Sequence, residues 1–220
     1  MTTSRSLRVL TLAIAAACIS TSGTAAVTSI ATELGADSAT RSTATGLDWL
    51  DLDRSIASVA ETDARLAHGG SLQTWRRATT AEVVAFWLDA GVTVTGSGAV
   101  PGETSDPAQL AAILNLQQLV GYTFPKNPST DLSVGYTAEP GPSPDLQTVA
   151  YLFSRYDGVA GAYFAGAAIT DAAFPSTPPN PDTEIWGSWL VRSYEVPEPG
   201  MLGLLGLGVL GLAASRRRRV

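Results

Sequence analysis

The residues of this chain best suited to chemistry are three aspartates and one histidine. Asp48, Asp51 and Asp53 form its densest acidic cluster. On a continuing strand, residues two apart share a face, so Asp51 and Asp53 would project together. Hard carboxylate oxygens of that kind suit calcium. An EF-hand loop beginning at Asp51 would need glycine sixth and glutamate twelfth, where Ile56 and Thr62 stand. The cluster is therefore a weak metal candidate, set against a solvated strand edge and a helix N-cap, and no cofactor is expected. His68 is the single histidine and precedes Gly69-Gly70. At a helix C-terminus its imidazolium would complement the dipole, which competes with a role as general base. A Ser-His-Asp site would have to use it, yet the chain has no G-x-S-x-G elbow. Ser97 lies between Gly96 and Gly98 without the third glycine of a dinucleotide loop, and reads as a turn. Two carboxylates for glycoside hydrolysis can lie anywhere in a sequence, and none stands out as a pair. No catalytic residue is expected; a carboxylate-based hydrolase is the outlying alternative.

Trp49, Trp75, Trp87, Trp186, Trp189, Tyr151, Phe153 and Tyr163 could stack on sugars, or build a core from the faces of two helices and a sheet. Trp186 and Trp189 fall on opposite faces of an expected strand, which would leave one of them exposed.

Composition narrows the classes. The chain has 220 residues, one Cys, one His and a net charge of −6. One cysteine and one histidine exclude a Cys/His zinc site, a disulfide framework and a CxxC redox pair. Six arginines sit in the two ends: Arg5, Arg8 and Arg216 to Arg219. Removing those six from 14 basic residues leaves 8 against 20 acidic ones over residues 27–199, a net −12. So acidic a body is a poor partner for nucleic-acid phosphates, and none is expected as a ligand.

Both ends read as address labels. Arg5 and Arg8 precede an apolar run from Val9 to Ile19, and small residues lead to Ala25-Ala26. That is the pattern of a secretory signal peptide over residues 1–26, cut by signal peptidase after passage through the Sec machinery. Cys18 lies inside it, without the leucine three residues upstream that a lipobox would carry. At the other end come Val196-Pro197-Glu198-Pro199-Gly200, then Met201 to Ala214 without a charge, then Ser215, Arg216, Arg217, Arg218, Arg219 and Val220. As a helix, residues 201–214 would be about 21 Å long, short against a core of about 30 Å unless arginines snorkel and the bilayer thins. The positive-inside rule keeps the arginines cytoplasmic and the body outside.

This order resembles the PEP-CTERM sorting signal of bacterial exported proteins. The resemblance rests on Pro197, Glu198, Pro199, residues 201–214 and Arg216 to Arg219. It implies recognition by exosortase, an integral-membrane cysteine transpeptidase-like enzyme. It also implies transient inner-membrane anchoring through 201–214, cleavage near the motif, and a body released or moved to the surface. Such proteins are typical of Gram-negatives that make exopolysaccharide, a further candidate partner. Two prolines keep the motif extended and remove two N–H donors, leaving it open to an enzyme.

Between the ends, residues 27–45 are Thr/Ser/Ala/Gly-rich and predict a flexible lead-in with at most one edge strand, ahead of a globular domain over 46–195. Residues 46–53 alternate and predict a strand. A helix is expected from about Ser55 to Ala67, stopped by Gly69-Gly70, and Trp75-Arg76-Arg77 reads as extended. Thr79 and Glu82 form a capping box for a helix carrying Val83, Phe86, Trp87 and Ala90, ending at Gly91. Asp106-Pro107-Ala108-Gln109 predicts a second box and a helix carrying Leu110, Ile113, Leu114 and Leu116 to Gly121. Residues 91–105 read as a loop or hairpin. Residues 147–156 predict a strand, Asp157-Gly158 a two-residue hairpin turn, and residues 159–168 the returning strand. A proline-rich loop covers 175–182, and residues 185–194 predict the last strand. Helices first and an antiparallel sheet later imply an α+β domain, two or three helices packed on one antiparallel sheet.

Three blocks carry a second resemblance: residues 46–52, Trp75-Arg76-x-Ala78-Thr79-x-x-Glu82-Val83, and residues 187–192. They look like blocks common in PEP-CTERM proteins. The last two are similar to the Lcl C-terminal-like domain, whose fold is C-type-lectin-like. Arg77-Ala78 replaces its Leu-Pro pair, and its cysteines are absent. The resemblance implies a lectin-like fold and a binding module for exopolysaccharide or protein. The leading expectation is an exported surface or extracellular-matrix protein without catalytic activity of its own.

Overall fold

The structure is a computed structural model, and it describes residues 27–97, 102–123, 130–141, 146–175 and 186–194. The signal segment 1–26, the proline-rich stretch expected as a loop over 175–182 except Pro175, the motif, the apolar run 201–214 and the basic tail lie outside the described residues. No helix among the described residues is long and apolar enough to cross a membrane.

Among the described residues, two five-stranded sheets and three α-helices make up the body, with strands predominating. The first sheet has the order β1 (Val27–Thr32), β2 (Gly35–Ser42), β3 (Leu47–Leu50), β10 (Leu190–Ser193) and β4 (Arg76–Arg77), all antiparallel. The second runs β5 (Gly96–Ser97), β8 (Ala162–Pro175), β7 (Leu146–Asp157), β6 (Thr130–Pro140) and β9 (Gly187–Ser188). Its β6-β7-β8 centre is antiparallel, while β5 and β9 add in parallel at its edges. The α+β class holds, but the expected single sheet is two, and strands come before the helices as well as after them.

The helices start where local chemistry dictates. Helix α1 (Val59–Leu66) begins four residues later than expected, because residues 52–54 form a 3₁₀ turn and Ser58 supplies the cap to Glu61 N. Helix α2 (Thr80–Asp89) carries the full capping box of Thr79 and Glu82. Helix α3 (Pro107–Val120) is capped by Asp106 on Ala108 N. The expected second box is not closed by Gln109. That side chain accepts from Thr93 N at 3.0 Å and donates to Gly91 O at 3.1 Å, tying the helix to the end of α2.

The main core lies between the sheets. Trp49 and Val191 from the first sheet meet Val83, Phe86 and Trp87 of α2, Ile113, Leu116 and Val120 of α3, and Ala150, Leu152, Ala165 and Ala167 of the second sheet. Alternation decides the outer faces: Val149, Tyr151 and Phe153 point away with Val134, Tyr136 and Trp186. Ala39, Leu50 and Leu190 form the outside of the first sheet with Leu72 and Trp75.

Three further expectations change. The 27–45 lead-in is a hairpin, β1 and β2, with Ser38, Ala39, Thr40 and Ser42 buried. Composition suggested exposure, but each inward hydroxyl has a partner: Thr40 faces Asp51 Oδ1 and Leu119 O at 3.3 Å, and Ser42 meets Asp89. The Asp157-Gly158 turn is a four-residue loop, 158–161, in which Asp157 accepts from Val159 N and Ala160 N and Gly161 takes the positive φ of 63°. The strand expected over 185–194 is two short strands in different sheets, joined at Trp189. Trp186 and Trp189 are consequently both buried, each in a different core.

Candidate functional site

The chain leaves the body at the end of β10, so the residues that hold this strand define the platform for whatever follows. Its neighbours come from distant parts of the sequence. Residues Leu190 to Ser193 pair with Leu50 to Leu47 on one side, and Leu190 and Val191 pair with Arg77 and Arg76 on the other. Parts of the three blocks singled out in the sequence are thus brought together as β3, β4 and β10 of one sheet, while Gly187-Ser188 of the last block form β9 of the other.

Charged groups lock that arrangement on its outer face. Asp48, 2% exposed, receives both Arg41 Nε at 2.7 Å and Arg41 Nη2 at 3.0 Å, a bidentate pair between β2 and β3. Arg192 of β10 stands 3.6 Å from the same carboxylate. Arg192 also donates to both oxygens of Glu33, at 2.9 and 2.8 Å, and its guanidinium lies 4.4 Å over the Trp75 ring. Trp75 Nε1 donates to Glu33 as well, at 3.1 Å. Burial works against the Glu33 charge, but the hydrogen bond from Arg192 leads the contacts that outweigh it and hold the carboxyl below its ordinary range. Arg76 grips Glu82 through two hydrogen bonds at 2.9 and 2.6 Å, which depresses that carboxyl to about 2. Arg77 pairs with Asp63 and donates to Val59 O. The Trp-Arg and Val-Arg blocks are therefore occupied in holding elements together.

Beyond Ser193, Tyr194 closes the described body. Its N–H reaches Gly46 O at 3.4 Å, and its ring carries the Arg41 guanidinium at 4.0 Å. Arg41, held by Asp48 from below, forms a clamp on the last residue before the tail. Register places the other terminus close by. Val27 pairs with Ser42, Ser42 with Leu47, and Leu47 with Ser193, so these four form one row across the sheet. Three strand spacings put Val27 about 14 Å from Ser193. Both expected cleavage points are attached at this one end.

The aspartate triplet does not gather into a metal site. Asp48 is spent on arginine, and β3 stops at Leu50, so the strand that would align Asp51 and Asp53 does not continue. Asp51 is 5% exposed beside Thr40, while Asp53 lies outward next to Gly121 and Arg54. Burial, with the like charge of Asp53 second, pushes the Asp51 carboxyl up to about 7. Among the described residues no group of three His, Cys, Asp or Glu side chains is placed to hold a metal ion. His68 is exposed beyond the end of α1, after Ala67. Trp49, Trp75, Trp87, Trp186, Trp189, Tyr151 and Phe153 are buried, and only Tyr163 of the sugar-stacking candidates is exposed. Sequence reasoning missed Arg41 and Glu33. Their one signal was the presence of charge in a segment rich in Ser, Thr and Ala.

With the platform defined, the tail it carries can be compared with known proteins. Residues 195–219 match the PEP-CTERM protein-sorting motif. The chain carries a PEP-CTERM sorting signal. The match begins at the residue after Tyr194, where the described body ends. The sorting signal implies export, transit through a membrane-anchored stage, and exosortase as processing partner. No curated protein and no solved structure matches the chain.

Proposed function

We propose that this protein is a non-catalytic surface or extracellular-matrix component, delivered by cleavage of its sorting signal beside Pro197-Glu198-Pro199. The carrying observation is the PEP-CTERM match beginning directly after a strand built into the body's first sheet. A tail anchored this way can be cut without disturbing the fold, since β10 remains with the body. The acidic surface suits an extracellular life, and the carboxylates of Asp48, Glu33 and Glu82 are engaged with arginines. In this reading Arg216 to Arg219 keep the tail's end cytoplasmic while residues 201–214 lie in the inner membrane. Replacing Pro197, Glu198 and Pro199 together by alanine should leave the tail uncut and the protein in the membrane fraction. Identical processing and location of variant and wild type would reject the sorting reading.

A second reading, a lectin-like module for exopolysaccharide or protein, rests on the tip of the β7–β8 hairpin. Tyr156 and Tyr163 are 44% and 55% exposed there with ring centroids 5.0 Å apart, and Val159 is fully exposed. Exposed tyrosine faces stack on sugar rings. A glycan array with the processed protein, with and without calcium, tests it; silence under both conditions rejects it.

A further inference from the structure

We infer that the end of the first sheet, the turn Thr43-Ala44-Thr45-Gly46 beside Tyr194, is a second recognition surface for the membrane enzyme that cuts the tail. This rests on the sorting reading above and adds a contact outside the sorting motif. Only Glu195 and Val196 separate Tyr194 from Pro197. At no more than about 3.5 Å per residue, three steps place Pro197 within roughly 10 Å of the Arg41–Tyr194 clamp. An enzyme closing on the motif from the bilayer side must therefore come against this end of the body. Row register shows what it meets: Val27, the 43–46 turn and Tyr194 lie at the same end.

Thr43 and Ala44 are exposed, Thr45 and Gly46 half-buried, and none of the four is charged. Arg41 and Asp48, the charged residues flanking the turn in sequence, are paired with each other. On a body of net −12 over residues 27–199, an uncharged turn at the point of enzyme approach lowers the desolvation cost of contact. The Arg41 clamp also limits how far the motif can swing away from the turn.

The test uses the full chain in cells that carry out the processing, reading the fraction cut with time. Thr43→Glu with Ala44→Glu should slow cutting about tenfold, as an unpaired charge in a contact surface does. Ser105→Glu, exposed next to Thr104 where the chain bridges to β8 of the second sheet, should be cut at the wild-type rate. Eight Gly/Ser residues inserted between Tyr194 and Glu195 let the motif move up to about 28 Å further away. With that spacer, the turn variant and its parent should be cut equally. A spacer that by itself stops cutting also supports the contact, because the motif is intact and only its distance has changed. Turn variants cut at the wild-type rate would overturn the inference, as would slowing of equal size with and without a working spacer. The Pro197/Glu198/Pro199 alanine variant separates the two levels: if it is cut normally, the sorting reading itself fails; if it is uncut while the turn variants are normal, only the second surface fails.

Discussion

The two sheets solve the same packing problem by opposite routes. In the second, β6, β7 and β8 follow one another over residues 130–175 and close by short connections. In the first, the interior strand β10 arrives from residues 190–193 and slots between β3 and β4, which end at residues 50 and 77. Closing so long a loop costs entropy before any contact rewards it. The first sheet carries three strong directional contacts, Arg41–Asp48, Arg192–Glu33 and Arg76–Glu82. The second has one cluster of this kind, Arg155 of β7 with Glu103 and Asp157 near the hairpin tip, and otherwise packs alternating small and large apolar residues. The strand that completes the first sheet also precedes the sorting signal directly, so the body is finished only when nearly the whole chain is available.

The sharpest way to break the contrast is at Trp189, where the sheets join. Its indole N–H donates to Ala150 O at 2.9 Å, and its ring packs edge-on to Trp49 and Trp87. Trp189→Ala should cost about 4 kcal/mol in denaturant titration of the processed protein, and should unfold both sheets in one transition. Asp48→Asn acts on the first sheet alone. It leaves the partly exposed Arg41 without its countercharge and should cost about 2 kcal/mol, below the range for a fully buried pair. Gly135→Ala probes the second sheet: a Cβ there would sit 2.7 Å from the Trp189 ring and from a Leu52 methyl. Overpacking should cost about 2 kcal/mol, and less in a Trp189→Phe background, where the ring is smaller; a double-mutant cycle reads the coupling. Thr79→Ala removes the hydroxyl that caps Glu82 N and should cost about 1 kcal/mol.

The remaining effect is a slope against pH. The Asp51 carboxyl is raised from 3.8 to about 7 by burial, so the folded state holds its proton more tightly than the unfolded state. Its stabilisation is present in full below the unfolded value and fades as pH rises toward 7. Glu82 has the opposite sign: lowered from 4.5 to about 2, it stabilises above the unfolded value and loses that as pH falls toward 2. Between pH 4.5 and 7 the Asp51 contribution should dominate this pair. Thermal melts should then show a midpoint falling with pH in wild type and a flatter profile in Asp51→Asn.

Local signals in the sequence read through well. The Thr79/Glu82 box, Asp106-Pro107 and the stops at Gly91 and Gly121 rest on contacts within one turn, and the structure shows each. Strand β6 was missed although Leu132, Val134 and Tyr136 alternate, because Gly135 and the polar residues between them weaken the pattern. Gly135 is there for Trp189, 54 positions away, which no local window contains. The hairpin of β1 and β2 was hidden for a related reason. Hydroxyl-rich strands look solvated until Asp51, Asp89 and Leu119 O are brought to meet them.

What the sequence by itself determined is what a linear reader needs: the sorting signal, whose match runs over consecutive residues 195–219, and the helix caps, whose donors and acceptors lie two or three residues apart. An enzyme or a first helical turn samples only neighbours, so order along the chain suffices. The tertiary structure alone decided the roles of the charges and tryptophans. Asp48 became a partner for Arg41, Asp51 a buried carboxyl, and Trp189 the joint between two sheets. Burial and pairing depend on what is brought near across space, and here those partners lie from 7 positions away, for Arg41 and Asp48, to 140, for Trp49 and Trp189.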